Sequence, residues 1–184
     1  TQETEIRVSL TLDGGGEAEV STGIGFLDHM LTSLARHGRF DLTLRAKGDL
    51  EVDDHHTAED CCLALGAALD EALGDRKGIA RFGWAFAPMD EALARAAVDL
   101  SGRPFAAVDL GLYRDKVGEL SAENLSHGMT SLAIASRSAV HVDVLRGLND
   151  HHRAEAAWKA LALALRQAVA LDGSASVPST KGVL

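Results

Sequence analysis

The sequence has 184 residues, of which 46% are hydrophobic and 4% aromatic, so its length suits one compact domain with a largely aliphatic core. Its formal net charge of −9 argues against a nucleic-acid partner, because such a partner needs a basic protein face. No apolar stretch is long enough to cross a bilayer, which argues against a membrane protein.

The first half of the chain predicts strands interrupted by two helices. Ile6, Val8 and Leu10 alternate with polar residues, as the side chains of a half-buried strand do. Gly38 and Gly74 each follow a stretch with apolar residues at helical spacing, and so would end a helix. Strands are therefore predicted at residues 5–12, at 17–21 as the returning strand of a glycine turn, at 40–46 and at 50–52, and helices at 26–37 and 55–73.

The second half predicts a similar series. Helices are expected at residues 121–136 and 151–171, and strands at 92–100, 105–112 and 139–145. The first two of these strands would pair around the turn at 101–104, although the alanines of 92–100 also suit a helix. The economical fold is a two-layer α+β arrangement, with the helices on one side of a mainly antiparallel sheet.

The two halves repeat one another. An HHxxE motif begins at His55 and again at His151, 96 positions later, and an HxxTSLA motif begins at His29 and again at His127, 98 positions later. Two paired motifs in the same order are far more specific than matches between alanines. The sequence therefore predicts a single domain made of two repeats, at about residues 1–86 and 87–184.

The repeated histidines and glutamates have the chemistry of metal ligands. His55 and Glu59 are four positions apart, which places them on one face of a helix, whereas His56 projects roughly a quarter-turn away. Mixed imidazole and carboxylate ligation suits Mn, Fe or Zn. Divided evenly, the candidates give two sites with three histidines and one glutamate each; they are His29, His55, His56, Glu59, His127, His151, His152 and Glu155.

The divergence of neighbouring histidines bears on assembly. Because His55 and His56 cannot both face one ion from the same helix, we expect a single chain to leave a site incomplete. The sites would then be shared at subunit contacts, and metal binding would be coupled to assembly.

With these motifs, the sequence resembles imidazoleglycerol-phosphate dehydratase. The most specific blocks are GIGFLDHML at 23–31, GDLEVDDHHTAED at 48–60, SGRP at 101–104, NDHHRAEA at 149–156 and PSTKGVL at 178–184. The resemblance implies a duplicated α+β fold, two Mn²⁺ ions per active site and an assembly of twenty-four subunits built from trimers. It also implies that the eight candidates named above are the metal ligands.

Three departures from the family pattern concern packing and substrate contacts rather than the metal ligands. Gly128 and Met129 stand where the family usually has two phenylalanines. A glutamine often found near Ser33 is absent, and Thr180 replaces a serine of the tail.

The reaction that the resemblance implies is the conversion of imidazole glycerol phosphate to imidazole acetol phosphate and water in histidine biosynthesis. The hydrogen that leaves is not acidic, because no carbonyl group adjoins its carbon. Metal ions on the ring nitrogens would stabilise an imidazolate, which expels the neighbouring hydroxyl and gives a diazafulvene-like intermediate. A carboxylate would then remove the proton, and the resemblance assigns this base to Glu3.

The substrate phosphate requires cationic and hydrogen-bonding groups. Isolated lysines and arginines are usually solvated surface charges, but the resemblance favours five positions. They are Arg81, Arg103, Lys159, Ser179 and Lys181.

Two other functions use the same residues. A binuclear metallohydrolase would activate water with the same ligands and would release phosphate. A storage or structural protein would bind metal without turnover.

The adjacent cysteines, Cys61 and Cys62, form no disulfide framework, and the N-terminus has no signal-peptide pattern, so we expect a cytoplasmic protein.

Overall fold

The computed structural model describes residues 1–174, 176–180 and 182. In this part of the chain the strands are β1 (Thr4–Thr11), β2 (Ala18–Ser21), β3 (Asp41–Gly48), β4 (Phe82–Met89), β5 (Ala92–Asp99), β6 (Phe105–Asp109), β7 (Lys116–Val117), β8 (Leu120–Ser121) and β9 (Ala139–Arg146). The helices are α1 (Gly25–Gly38), α2 (His55–Leu73), α3 (Ala122–Ala135) and α4 (Asp150–Ala168).

The two halves have the same topology. In the first, β3 lies between β1, which is antiparallel to it, and β2, which is parallel to it. In the second, β9 lies between the antiparallel β5 and the parallel β6, and β4 extends the sheet beyond β5. The α+β class and the internal duplication are therefore confirmed. The boundary expected between residues 86 and 87 falls inside β4, and the exact division of the chain stays a prediction.

Two predicted pairings are wrong. The strand at 17–21 does not return along β1, and β5 does not pair with β6, because in each repeat a later strand lies between the two. A helix joins β2 to β3 and β6 to β9, and such a crossover places the second strand parallel to the first. The predicted strand at 50–52 is also wrong, since a turn closed by Val52 N–H and the Asp49 carbonyl occupies this segment.

The strand β4 has an inverted side-chain pattern, and the sequence did not predict it. Its aromatic residues, Phe82, Trp84 and Phe86, are exposed, while Gly83 and Ala87 are buried. Helix α4 packs directly on this strand, so closely that a Cβ atom at Gly83 would overlap the carbonyl of Ala164. Small residues face the interior here because the helix approaches the strand backbone.

Helices join the two repeats. Within the repeats α2 packs on β1 and α4 on β4 and β5, so each repeat covers one face of its own sheet with helices. Between the repeats, α2 packs against α3 and α1 against α4. At the first of these contacts a Cβ atom on Gly66 would lie 2.6 Å from the carbonyl oxygen of Leu132. These contacts bring the predicted metal ligands of different repeats together. No helix in the described chain has the length and apolar character that a membrane span requires.

Candidate metal centre and active site

One group of ligands lies where α2 meets α3, and we call it the His55 cluster (His55, Glu59 and His127). Nε2 of His127 lies 3.1 Å from Oε1 of Glu59, and Nε2 of His55 lies 3.7 Å from its Oε2. The two imidazole rings are stacked, with their centroids 5.0 Å apart. One ligand atom from each residue lies within 4.8 Å of the others, which is a spacing that one metal ion can bridge.

The second group lies where α1 meets α4, and we call it the His151 cluster (His29, His151 and Glu155). Nε2 of both histidines lies 3.2 Å from Oε2 of Glu155. Lys159 donates to the other carboxylate oxygen at 2.7 Å. Burial opposes ionisation of Glu155, but the hydrogen bonds from Lys159 and His29 outweigh this effect and lower its pKa to about 2. The carboxylate is therefore charged and able to bind a cation throughout the physiological pH range.

Each cluster combines both repeats. His55 and Glu59 belong to the first repeat and His127 to the second, whereas His29 belongs to the first repeat and the rest of its cluster to the second. Neither repeat alone contains a cluster, so the helix contacts between the repeats create both of them.

The remaining two candidates, His56 and His152, do not join either cluster. Nδ1 of His56 lies 2.9 Å from Oδ2 of Asp49, and Nδ1 of His152 lies 2.7 Å from Oε2 of Glu91. These carboxylate hydrogen bonds raise the pKa of both histidines. A proton held on Nδ1 leaves Nε2 as the coordinating atom of each ring.

The donor set fits a divalent transition-metal ion. Imidazole nitrogens and carboxylate oxygens suit Mn, Fe and Zn, and neither cluster contains a thiolate. Nε2 of His127 is buried and makes no hydrogen bond within the described chain, although Glu59 lies beside it. A buried nitrogen of this kind normally has a partner, and a metal ion between His127 and Glu59 would supply one.

The predicted base, Glu3, lies directly before β1, and its carboxylate is 4.0 Å from Nδ1 of His56. Glu91 is its counterpart in the second repeat, because it directly precedes β5 as Glu3 directly precedes β1. Strand β5 pairs antiparallel with β9 as β1 does with β3, apart from a register shift between Leu93 and Ala94. No motif in the sequence indicated Glu91 or Asp49. An alignment of the strands of the two repeats would have indicated Glu91, since it precedes β5 as Glu3 precedes β1.

The chain is similar in sequence and in fold to known members of one enzyme family. The family profile of imidazoleglycerol-phosphate dehydratase matches residues 22–165. The chain is 54% identical to the dehydratase of Candida glabrata, with 100% of this chain and 96% of that protein aligned. It is 63% identical to the dehydratase of Phytophthora nicotianae, of which it spans 41%. A crystal structure of the enzyme from Pyrococcus furiosus superposes with a TM-score of 0.86 at 40% identity, covering 100% of this chain and 98% of that chain.

The chain belongs to the imidazoleglycerol-phosphate dehydratase family. It is thus a lyase of histidine biosynthesis, and the fold of its structural relatives is the one seen here.

The residues that the dehydratase resemblance assigns to phosphate lie in different surroundings. The guanidinium of Arg81 forms two hydrogen bonds with Asp99, at 2.7 and 3.1 Å, and a third with the Pro178 carbonyl at 2.7 Å. It therefore holds the tail next to Ser179. Arg103 lies in an exposed turn, where its Nη1 donates to the Ser101 carbonyl.

Of the other two phosphate candidates, one forms an ion pair and one lies outside the described chain. Lys159 forms the ion pair with Glu155 described above, and it is only 18% exposed. Lys181 lies outside the described residues.

Gly128, which stands where the dehydratase family usually has phenylalanine, is explained by the local packing. A Cβ atom at Gly128 would lie 2.8 Å from Sγ of Cys62, so the α2–α3 contact leaves little room for a larger residue. Met129 beside it is fully buried.

Proposed function

We propose that the chain converts imidazole glycerol phosphate to imidazole acetol phosphate and water, with two Mn²⁺ ions per active site. The observation that carries this proposal is the presence of two clusters with the same ligand types, two histidines and one glutamate each, in a member of the dehydratase family. Bound at the substrate's ring nitrogens, the ions would supply Lewis-acid stabilisation of negative charge on the imidazole. His29, His55, Glu59, His127, His151 and Glu155 would hold them, together with His56 and His152.

Glu3 is the base in this proposal, as the family resemblance implies, and its carboxylate lies 4.0 Å from Nδ1 of His56, beyond hydrogen-bonding distance. Asp49 already accepts the hydrogen bond from Nδ1–H of His56, so Glu3 is not needed as its acceptor. Its counterpart Glu91 accepts three hydrogen bonds, from His152 and from the backbone N–H groups of Leu148 and Asn149. These bonds lower the pKa of Glu91 to about 2, which makes it a poor proton acceptor. Once the hydroxyl has left the substrate, Glu3 can remove the proton from the adjoining carbon.

The substitution Glu3→Gln tests the assignment of the base. We expect turnover to fall by about 10²- to 10⁴-fold with Mn²⁺ binding unchanged, because an amide side chain cannot accept the proton. Glu5→Gln is the matched control, since Glu5 is an exposed residue of the adjoining strand that pairs with Arg7. Equal turnover of the Glu3→Gln variant and the wild-type protein, at equal metal content, would exclude Glu3 as the base.

Phosphate binding is assigned to Arg81, Arg103, Lys159, Ser179 and Lys181. The contact of Arg81 with the Pro178 carbonyl supports a common position for this arginine and the tail. A fixed guanidinium beside a hydroxyl-bearing segment is an arrangement that binds phosphate well.

We further propose that the active sites are shared between chains of a homo-oligomer of twenty-four subunits. His56 and His152 support sharing, because each is tied at Nδ1 outside the clusters of its own chain. The exposed aromatic side chains of β4 support an interface, since apolar surface of this kind is usually covered. The subunit number comes from the family resemblance, and a cytoplasmic location stays a prediction from the sequence.

A further inference from the structure

The two clusters have equivalent ligands but different neighbours. Asn124 precedes His127 by three positions, and Phe26 precedes His29 by the same interval, so these two residues are counterparts in the repeats. Lys159 follows Glu155 by four positions, and its counterpart after Glu59 is Leu63. The two repeats therefore have different residue types at two positions next to the ligands.

Asn124 fixes the orientation and the protonated nitrogen of His55. This asparagine is 3% exposed, and its Oδ1 lies 3.0 Å from Nδ1 of His55. Its side chain also hydrogen-bonds with the carboxylate of Asp54, which accepts from the backbone and hydroxyl of Ser121. Because only the amide NH₂ can donate to a carboxylate, the amide oxygen faces His55 and accepts from Nδ1–H. The lone pair of Nε2 is then directed to Glu59, as metal binding requires.

Phe26 provides no such acceptor for the other cluster. Its ring meets the ring of His151 edge-on, with the centroids 5.0 Å apart. Within the residues that the structure describes, no hydrogen bond engages Nδ1 of His151. Its ring is therefore packed but is not restricted to the tautomer that binds a metal ion through Nε2.

Lys159 places a positive charge in the His151 cluster. Its ammonium lies 2.7 Å from Oε1 of Glu155, the only carboxylate of that cluster. A divalent cation there is repelled by the ammonium at close range. Leu63, the counterpart of Lys159, adds no charge beside Glu59.

From these two differences we propose that the clusters bind divalent cations unequally, with the His55 cluster binding more tightly by at least about tenfold. In this account Asn124 is a positioning residue, and Lys159 weakens the first binding of an ion beside it. The inference rests on the proposed metal function, because it concerns the order in which the two sites fill.

A titration of the metal-free 184-residue protein with MnCl₂ tests the inference, with free Mn²⁺ measured by electron paramagnetic resonance and heats by calorimetry. We expect two classes of site, one of each per chain, that differ in dissociation constant by about tenfold or more. Asn124→Ala should weaken the tight class by about tenfold, and Lys159→Met should tighten the weak class by about tenfold.

Matched variants separate these effects from general damage. Phe26→Ala alters the counterpart of Asn124 and should leave the tight class unchanged. Lys77→Met removes a charge from an exposed lysine paired with Asp75 and should change neither class. Circular dichroism and thermal unfolding check that Asn124→Ala is folded; if it is not, Lys159→Met still decides the proposal.

Three outcomes would overturn the inference. Two equal sites in the wild-type protein would exclude unequal affinity and leave the proposed metal function standing. If Asn124→Ala weakened Mn²⁺ binding by the weak class of site, or if Lys159→Met had no effect, these residues would not determine the order in which the two sites fill. Binding of no Mn²⁺ at all would overturn the proposed metal function as well as this inference.

Discussion

Glu3 and Glu91 occupy equivalent positions in the two repeats, yet their carboxylates have different surroundings. Asp49 holds His56 and leaves Glu3 available, whereas Glu91 itself holds His152. Asp49 directly follows β3, whereas Gly147 is the residue that directly follows β9, so the second repeat lacks this alternative acceptor. This difference agrees with the proposal that Glu3 is the base, while its counterpart Glu91 orients His152.

The sequence predicted the candidate metal ligands but not the residues that contact their side chains. The structure brings six of the eight predicted ligands into two clusters, because the repeated motifs already contain helical ligand spacing. Asp49, Asn124 and Glu91 were missed, since Asp49 and Glu91 lie outside the helices, next to strand ends, and Asn124 lies on a different helix from His55. Such contacts depend on tertiary structure and have no fixed spacing in the sequence.

Asp70 illustrates a charged contact whose effect depends on pH. It accepts a hydrogen bond from the buried Arg76 at 2.6 Å, and two from Arg137 at 2.9 and 3.0 Å. Burial opposes ionisation of Asp70, but these guanidinium groups outweigh it and hold its pKa below the ordinary value. The stabilisation is complete above the unfolded-state pKa of about 3.9 and is lost as the pH falls through the lower folded-state pKa.

We therefore expect Asp70→Asn to lower the free energy of unfolding by about 3 kcal/mol at pH 7, because Arg76 loses its charged partner. The difference from the wild type should shrink as the pH falls below about 4, because the carboxylate of the unfolded chain is protonated first and that of the folded protein at still lower pH. Urea unfolding of both proteins at a series of pH values measures this. A difference that stays constant down to about pH 2 would contradict the role given to the Asp70 charge.

At the scale of elements, the long helices and most strands were predictable, but the order in which the strands pair was not. Helix α2 begins and ends at the predicted residues, because Asp53 accepts a hydrogen bond from the backbone N–H of His55 and Gly74 follows the last turn. Helix α4 ends at Ala168, three residues earlier than predicted. Strand β4 was missed because its aromatic side chains face outward, and the strand order depends on crossovers that local patterns do not encode.

The crossing of α2 and α3 depends on a small residue at position 66. A Cβ atom there would lie 2.6 Å from the Leu132 carbonyl oxygen and 2.8 Å from Cβ of Ala135. Gly66→Val should force the helices apart and cost about 2 kcal/mol or more. Because His127 lies on α3, the same change should weaken Mn²⁺ binding by the His55 cluster.

Ala67→Val provides the control for this crossing. Ala67 is exposed on the same helix, so its replacement should cost less than about 1 kcal/mol and leave Mn²⁺ binding unchanged. Thermal unfolding and Mn²⁺ titration of both variants give the comparison. Similar losses in the two variants would show that helix propensity, rather than the crossing, explains the effect.

At the scale of the whole molecule, one sheet presents an aromatic surface to solvent. Phe82, Trp84 and Phe86 are 51%, 65% and 61% exposed, all on the same side of β4. We expect Trp84→Asp to yield a smaller particle than the wild type, because a charge in an apolar interface is costly to bury. Trp84→Phe should preserve the assembly.

Light scattering of the Mn²⁺-loaded proteins measures this particle mass directly. If Trp84→Asp leaves the mass unchanged, this face is not an interface between subunits. A change with both variants would point to misfolding rather than to the loss of a specific contact.

We expect this chain to remove water from imidazole glycerol phosphate with metal held by its paired His and Glu clusters. The most direct measurement is turnover of that substrate by metal-stripped protein, with and without added Mn²⁺, with the ketone product and free phosphate both measured. We expect ketone to form only with Mn²⁺ and no phosphate to be released. Release of phosphate, or absence of ketone from folded protein with Mn²⁺ bound, would contradict the account.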